Sequence, residues 1–233
     1  MPLPILHQDA RLIAVNKPHG LLVHRSAYAA NANEWALQMV RDQCGQRVYP
    51  VHRLDRKTSG VLLFAFDPKT ASALGEQFQN RRPRKTYRAV VRGWFPETIL
   101  VEKPLADLRG VAQPAETLFQ CLAQTELNIP FGKHATSRYS LIEACPRTGR
   151  QHQIRRHLNH LRHPIIGDRP HGCNKQNRLF LERWQLKVML LHALQLEVTH
   201  PATGEQLLLR APYSSEFTRL LKLLHLSETT DLI

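Results

Sequence analysis

Val51-His52-Arg53-Leu54-Asp55-Arg56-Lys57-Thr58-Ser59-Gly60 runs directly into the apolar stretch Val61-Leu62-Leu63-Phe64-Ala65. Five apolar residues after a Ser-Gly turn signal read as a buried strand. The one carboxylate before it, Asp55, lies between Arg53 and Arg56 and near Lys57. A lone carboxylate ringed by cations stays ionised and is held in place. A nucleophilic or proton-abstracting Asp needs the same setting. So does an ordinary ion-paired Asp in a surface loop, and local spacing does not separate the two.

Outward from this stretch the chain alternates short strands with a few helices. Ile5 to Gln8 and Leu12 to Lys17 read as strands, Pro18-His19-Gly20 as a turn, and Leu21 to His24 as extended. Asn31 or Asn33 is a candidate cap for a helix with Trp35, Met39 and Val40 on one face. Asp67 followed by Pro68 opens a helix over about 68–80, with Ala71, Leu74 and Phe78 at helical spacing. After the basic segment Arg81-Arg82-Pro83-Arg84-Lys85, alternation over Thr86 to Arg92 places Tyr87, Ala89 and Val91 on one strand face. Strands are further expected near Leu100 to Glu102, Ala115 to Leu122 and Ser137 to Ala144, with a loop over Gln124 to Thr136. Gln151 to Leu161 is helical, turning Ile154, Leu158 and Leu161 inward and Arg155, Arg156, Asn159 and Arg162 to other faces; Pro164 stops it. Leu190 to Val198 and Gln206 to Arg210 form strands joined through Pro201 to Gly204. A last helix, capped by Ser214 or Ser215, buries Phe217, Leu220, Leu221 and Leu224. Many strands on short turns with four helices predict an α+β fold with a largely antiparallel sheet.

Composition narrows the class of partner. In 233 residues, 42% are apolar, enough for a packed fold of one large domain, and no linker or repeat divides the chain. The 32 Lys+Arg against 19 Asp+Glu, a net +13, favour a polyanion, nucleic acid before membrane. Between Pro146 and Arg183 nine cations face only Asp168 and Glu182, with five histidines interspersed. Cys44, Cys121, Cys145 and Cys173 form no CxxC pair, which fits reduced thiols and a cytoplasmic protein. No signal peptide or apolar membrane span is expected.

Several chemistries are excluded by pattern. His157, His160 and His163 recur every third residue, but the arginines among them would repel a divalent ion, so no metal is expected. No Gly-rich phosphate loop is present, hence no nucleotide cofactor. Thr58-Ser59-Gly60 lacks a Gly-x-Ser-x-Gly elbow and has no nearby histidine but His52, so it reads as a turn. The basic segments 81–88 and 146–183 are suited to phosphate contacts, which supply affinity without base readout.

His52-Arg53-Leu54-Asp55-Arg56-Lys57-Thr58-Ser59-Gly60 resembles the signature of pseudouridine synthases of the RluA type. Lys85-Thr86-Tyr87-Arg88-Ala89 and Thr148-Gly149-Arg150-Gln151-His152-Gln153-Ile154-Arg155 match in the same order, the latter continuing into His163-Pro164-Ile165-Ile166-Gly167-Asp168. Asn16-Lys17-Pro18-His19-Gly20-Leu21-Leu22-Val23-His24 is similar to the family's opening strand and loop. Resemblance covers about residues 5 to 221.

The resemblance implies one catalytic domain over residues 1–233, with helices and loops flanking an RNA-binding cleft and no S4-like domain ahead of it. It implies Asp55 as nucleophile or base, Arg155 as the cation paired with it, Tyr87 stacked on the target base and Arg53 filling the place of the flipped uridine. Arg150, Arg156, Arg162, Lys85 and His52 are the expected RNA contacts. The implied activity is isomerisation of uridine to pseudouridine, by a monomer needing no cofactor, metal or membrane. Leu22 to Ser26, Arg155 to Asp168 and His171-Gly172 are most similar to members that act on tRNA, which implies uridine 65 beside the TΨC loop. Residues 106 to 135 are shorter than that branch leads one to expect. A ribosomal RNA target is the close alternative, and a non-catalytic RNA-binding or chaperone protein the distant one; intact Asp55, Tyr87 and Arg155 favour the enzyme.

Overall fold

The computed structural model describes residues 2–24 and 34–226. The fold is α+β, and the chain divides into two compact units, Met1–Lys85 with His192–Pro212, and Thr86–Leu191 with Tyr213–Ile233.

The first unit is built around the apolar run of the opening stretch. Strand β1 (Ile5–Gln8) pairs antiparallel with β2 (Leu12–Lys17), and β2 with β4 (Ser59–Ala65) from Leu12 against Ala65 to Lys17 against Gly60. The short β3 (Tyr49–Pro50) also joins β4. Every residue of β4 is buried, as its continuous apolar character demands. Beyond it lies β11 (Leu191–Thr199), which pairs with β4 in parallel and in turn carries β12 (Gln206–Arg210) antiparallel. The parallel contact explains Gly60: its φ is +115°, and a Cβ there would lie 2.1 Å from the Ala193 carbonyl oxygen.

Two helices cover this unit. The helix α1 (Ala36–Cys44) has Trp35 at its N-cap; the expected caps Asn31 and Asn33 lie outside the described residues. The helix α2 (Pro68–Gln79) begins as its sequence dictates, with Asp67 accepting the Thr70 N–H at 2.8 Å and Pro68 in the first turn. It sets Leu74 and Phe78 against Val61, Leu63, Leu196 and Leu209.

In the second unit four antiparallel strands run in the order β5 (Arg84–Arg92), β10 (Ser137–Pro146), β9 (Thr117–Leu127), β6 (Thr98–Val101). Alternation along β5 decides its two faces. Ala89 and Val91, with Tyr87 at the edge, join the cluster that packs Ile154 and Leu158 of α3 (Gln153–His160). Val90 points the other way, to Phe180 of α4 (Asn174–Trp184) and Phe217 and Leu220 of α5 (Ser215–Leu223). Ser214 caps α5 by accepting the Phe217 N–H at 3.2 Å.

Three expectations are corrected. The loop expected over Gln124 to Thr136 begins only after Leu127, because β9 stays in register with β10 up to the pair Leu127 and Ser137. Its outer end alternates polar residues toward solvent, so the apolar signal fades before the pairing does. Helix α4 makes five helices among the described residues where four were expected; Gln176 and Phe180 are its only buried residues and no side chain caps it, so periodicity is faint. The hairpin of β7 (Leu105–Ala106) and β8 (Ala112–Gln113) is too short to register as alternation.

Candidate active site

In the first unit, the Asp55 loop is fastened to the loop that follows β2. The Gly20 N–H donates to the Arg56 carbonyl at 2.8 Å, and Arg56 Nε returns a bond to the Gly20 carbonyl at 2.9 Å. Leu54 is buried beneath the loop and the Thr58 N–H closes a turn on the Asp55 carbonyl at 3.0 Å. Asp55 is half-buried and Arg53 exposed.

The cation at the centre of this tie is Lys17, which has no exposed surface. Its ammonium donates to the carbonyls of Leu21 (2.8 Å), Pro18 (3.0 Å) and Arg56 (3.2 Å), using all three of its protons. Burial pushes its pKa down to about 7, against which the Asp55 charge pulls upward. Sequence reasoning chose Arg53, Arg56 and Lys57 as the neighbours of Asp55 and passed over Lys17. The available signal was a lysine ending a strand otherwise buried along its length. Beside it, His19 is pushed to about 4, chiefly by burial and then by Lys17, Lys57 and Arg56, so it is neutral. Its buried Nε2 has no hydrogen-bond partner among the described residues.

A pH test follows. Between about 7 and the ordinary lysine value of 10.5, the unfolded chain binds the Lys17 proton and the folded chain increasingly does not. Stability should therefore rise with pH across that window, by up to about 1.4 kcal/mol per unit, and be indifferent to Lys17 below it. Urea unfolding from pH 7 to 10 should find a steeper rise in the native protein than in Lys17→Met, where the share from Lys85 remains. Parallel profiles would remove Lys17 from the account.

Of the triplet expected as a turn, Thr58 closes the turn on Asp55, whereas Ser59 and Gly60 already belong to β4. Ser59 Oγ donates to His192 Nδ1 at 2.9 Å, a histidine 133 residues away that sequence spacing did not find. His192 Nε2 is in turn bonded to the Ala211 carbonyl at 3.1 Å, and both side chains are buried. A ring anchored on a backbone carbonyl, with burial lowering its pKa, braces β4 against β11.

His52, among the expected RNA contacts, has a structural occupation. Its Nε2 accepts the Leu63 N–H at 3.1 Å and its ring stacks on Phe78 at 5.0 Å. Burial, then Lys85, pushes its pKa to about 3, so it carries no charge to offer a phosphate. Lys85 is half-buried and pushed to about 8 by burial and Arg81.

The second unit places Tyr87 on β5, half-buried against the cluster beneath α3. Arg155, on the first turns of α3, is only 4% exposed. It grips Asp168 with two bonds, Nε to Oδ2 at 2.7 Å and Nη2 to Oδ1 at 2.8 Å. Burial alone would raise the Asp168 carboxyl; the two bonds and the charge of Arg155 outweigh it and hold it below the usual range. Asn177 fixes the loop by accepting the Gly167 N–H (2.8 Å) and donating to the Asp168 carbonyl (2.7 Å). His171 gives its N–H to Asp168 Oδ1 at 3.3 Å, and its ring Nε2 meets Nδ1 of His152 at 2.8 Å. Asp168 appears in the sequence only as the end of a motif; its distance from Arg155 along the chain hides the pair.

The other expected RNA residues divide. Arg162 is exposed, at the left-handed residue (φ 63°) that ends α3 ahead of Pro164. Arg150 Nε bonds the Pro114 carbonyl at 3.0 Å and Arg156 Nη1 the Ala106 carbonyl at 2.9 Å. The histidines at every third position go separate ways: His157 to Thr117 and the Lys103 carbonyl, His163 to the Arg92 carbonyl, and His160 to solvent. Among the described residues no helix is long and apolar enough to cross a membrane.

Comparison with known proteins bears on what these groups do. A family model described as RNA pseudouridylate synthase matches residues 11–160. The "tRNA pseudouridine synthase C" of Vibrio cholerae is 47% identical over 220 residues, covering 90% of each chain. That of Salmonella typhimurium is 46% identical over 220 residues, 90% of this chain and 85% of the relative. Among solved structures, Human RNA Pseudouridylate Synthase Domain Containing 4 aligns with TM-score 0.73 at 26% identity, over 95% of this chain and 93% of that one. Human RNA Pseudouridylate Synthase Domain Containing 1, at 20% identity and TM-score 0.72 over 97% and 96%, shares the fold.

Proposed function

The chain belongs to the RNA pseudouridylate synthase family, and from that membership we propose that it converts a tRNA uridine to pseudouridine, at position 65 beside the TΨC loop. Residues 1–233 act as one catalytic domain. The reaction breaks the N1–C1′ bond, turns the uracil and joins C5 to C1′. It is an isomerisation, with no electron acceptor or group donor to bind. Asp55 is the reacting carboxylate, by attack on the sugar or by removal of a sugar proton. Tyr87 stacks on the uracil, Arg155 is the guanidinium partner of the site, and exposed Arg53 takes the space the uridine leaves.

The observation that carries this reading is the held carboxylate: Asp55 on a loop tied down by a fully buried lysine whose proton responds to it. A general base or nucleophile must be held in place, and the ties of that loop supply this. The tRNA substrate rests on relatives named for it at up to 47% identity over nearly the whole chain. Action on free tRNA places the protein in the cytoplasm, where a monomer suffices.

Pseudouridine mapping of total RNA from a strain lacking the gene tests the substrate. Loss of modification at tRNA position 65 is expected, with ribosomal sites unchanged. Position 65 still modified, with a ribosomal site lost, would move the substrate to ribosomal RNA.

A further inference from the structure

Apart from the Asp55 loop, the first unit holds a cavity of about 360 Å³ lined by Trp35, Leu37, Gln38, Arg41, Arg47 and Val48. Its place follows from the way α1 is held. Trp35 is extended (φ −143°, ψ 152°) and bridges to Leu22, and the N–H groups of Ala36 and Leu37 donate to the Leu22 and Val23 carbonyls at 2.8 and 3.0 Å. These bonds replace the capping side chain that α1 lacks, and they fix Trp35 where the helix begins. Ala36 and Val40, one turn apart, are the buried side of α1. Trp35, Gln38 and Arg41, each three residues from the next, therefore share another face. Gly45, left-handed at φ 65°, ends the helix and turns the chain back, which brings Arg47 and the buried Val48 to the same cavity.

The lining selects its ligand. Trp35 is half-buried, and with Leu37 and Val48 it offers a flat apolar surface to a flat ring. Gln38 carries an amide that both donates and accepts, as the edge of a nucleobase does. Arg41 and Arg47 are exposed cations. Arg47 lies over Tyr49 with Cζ 5.0 Å from the ring centroid, a stack that engages the face of the guanidinium and keeps its N–H edge for an oxyanion. Arg41 is oriented by Asp42 through Nε (2.8 Å) and Nη2 (2.7 Å), and a guanidinium has further donors beyond those two. Asp42 itself is not part of the lining, which contains no carboxylate. A wholly apolar ligand would leave both arginines unused, and a bare phosphate would leave Trp35 unused. A nucleotide uses every part: base on indole, base edge on amide, phosphate on guanidinium. The volume is that of a small-molecule site. No hydroxyl, thiol or imidazole lines the cavity either, so it binds without reacting.

We propose that the α1 cavity is a nucleotide-binding site separate from the Asp55 loop, with the base on Trp35, its edge on Gln38 and the phosphate on Arg41 and Arg47. The nucleotide is either a free mononucleotide or an unpaired nucleotide of a bound RNA, since the recognising groups are the same for both. The site stands whichever uridine Asp55 acts on.

The test uses the full chain as wild type, Arg41→Gln/Arg47→Gln and Trp35→Leu. Equilibrium dialysis measures the binding of AMP, ribose 5-phosphate and inorganic phosphate to each. AMP is the probe because a purine is unlike the pyrimidine assigned to the Asp55 site. Wild type should hold AMP at least about tenfold more tightly than either phosphate without a base. The double arginine variant alters only exposed side chains and should melt at the wild-type temperature, yet bind AMP at least about tenfold more weakly. Trp35→Leu should bring AMP down to the level of ribose 5-phosphate. No binding of millimolar AMP by the wild type would overturn the site. So would equal affinity for AMP and inorganic phosphate, or undiminished AMP binding by the double arginine variant; these outcomes decide the matter even if Trp35→Leu does not fold. An unmodified tRNA transcript then identifies the source. Release of the transcript by AMP, with a salt slope lower by about two in the double arginine variant, makes the nucleotide one of the RNA's own. Transcript affinity indifferent to AMP makes it a free nucleotide.

Discussion

Asp55→Asn is expected to cut pseudouridine formation by at least roughly a thousandfold while leaving tRNA affinity within about twofold of wild type. The substitution keeps the size and the turn, in which the Asp55 carbonyl accepts the Thr58 N–H through the backbone. It removes only the charge and the nucleophile. RNA affinity comes from phosphate contacts that the carboxylate does not make, so binding and turnover should separate. The loss should also be visible on Lys17, whose pKa is held up by the Asp55 charge and should fall further when that charge is gone. Release of the C5 hydrogen from labelled tRNA measures the first effect and filter binding the second. Full turnover by the variant would sink the assignment of Asp55.

The second large effect concerns stability. Arg155 and Asp168 are 4% and 1% exposed and doubly bonded, so removing either takes from the other the two charge-assisted bonds that offset its burial. Asp168→Ala and Arg155→Met should each cost about 3–5 kcal/mol, whereas Arg155→Met/Asp168→Leu should cost much less than their sum. Urea unfolding of the four proteins measures the coupling; additivity within half a kcal/mol would show that the pair is not a unit. The pH dependence has a definite sign. Because the folded Asp168 holds its proton less tightly than the ordinary 3.8, its contribution is complete above that value and is lost as pH falls through the lower folded pKa. Asp168→Ala should therefore narrow its deficit against wild type in strong acid.

Much of the fold is legible where the signal is local. Strands β1, β2 and β12 lie where alternation and apolar runs place them, and α2 starts at Asp67-Pro68 because a cap and a fixed φ act within one turn. Helix α4 and the β7–β8 hairpin were not legible, because each owes its place to a few long-range contacts: Phe180 in the core, Arg156 and Arg150 on the hairpin's carbonyls. Charge says less about partners. Arg150 and Arg156 each bond a backbone carbonyl and Arg155 grips Asp168, contacts that depend on which oxygens the fold brings within reach of each guanidinium.

The sequence by itself determined the α+β class, the buried strand at Val61 to Ala65, and a family whose motif carries Asp55. Only the tertiary structure decided what surrounds that carboxylate's loop. Lys17 lies 38 residues before Asp55, and its place at the end of an apolar strand does not say which loop its ammonium meets; strand pairing draws it under the Asp55 loop, where three carbonyls and one carboxylate supply what burial takes from water.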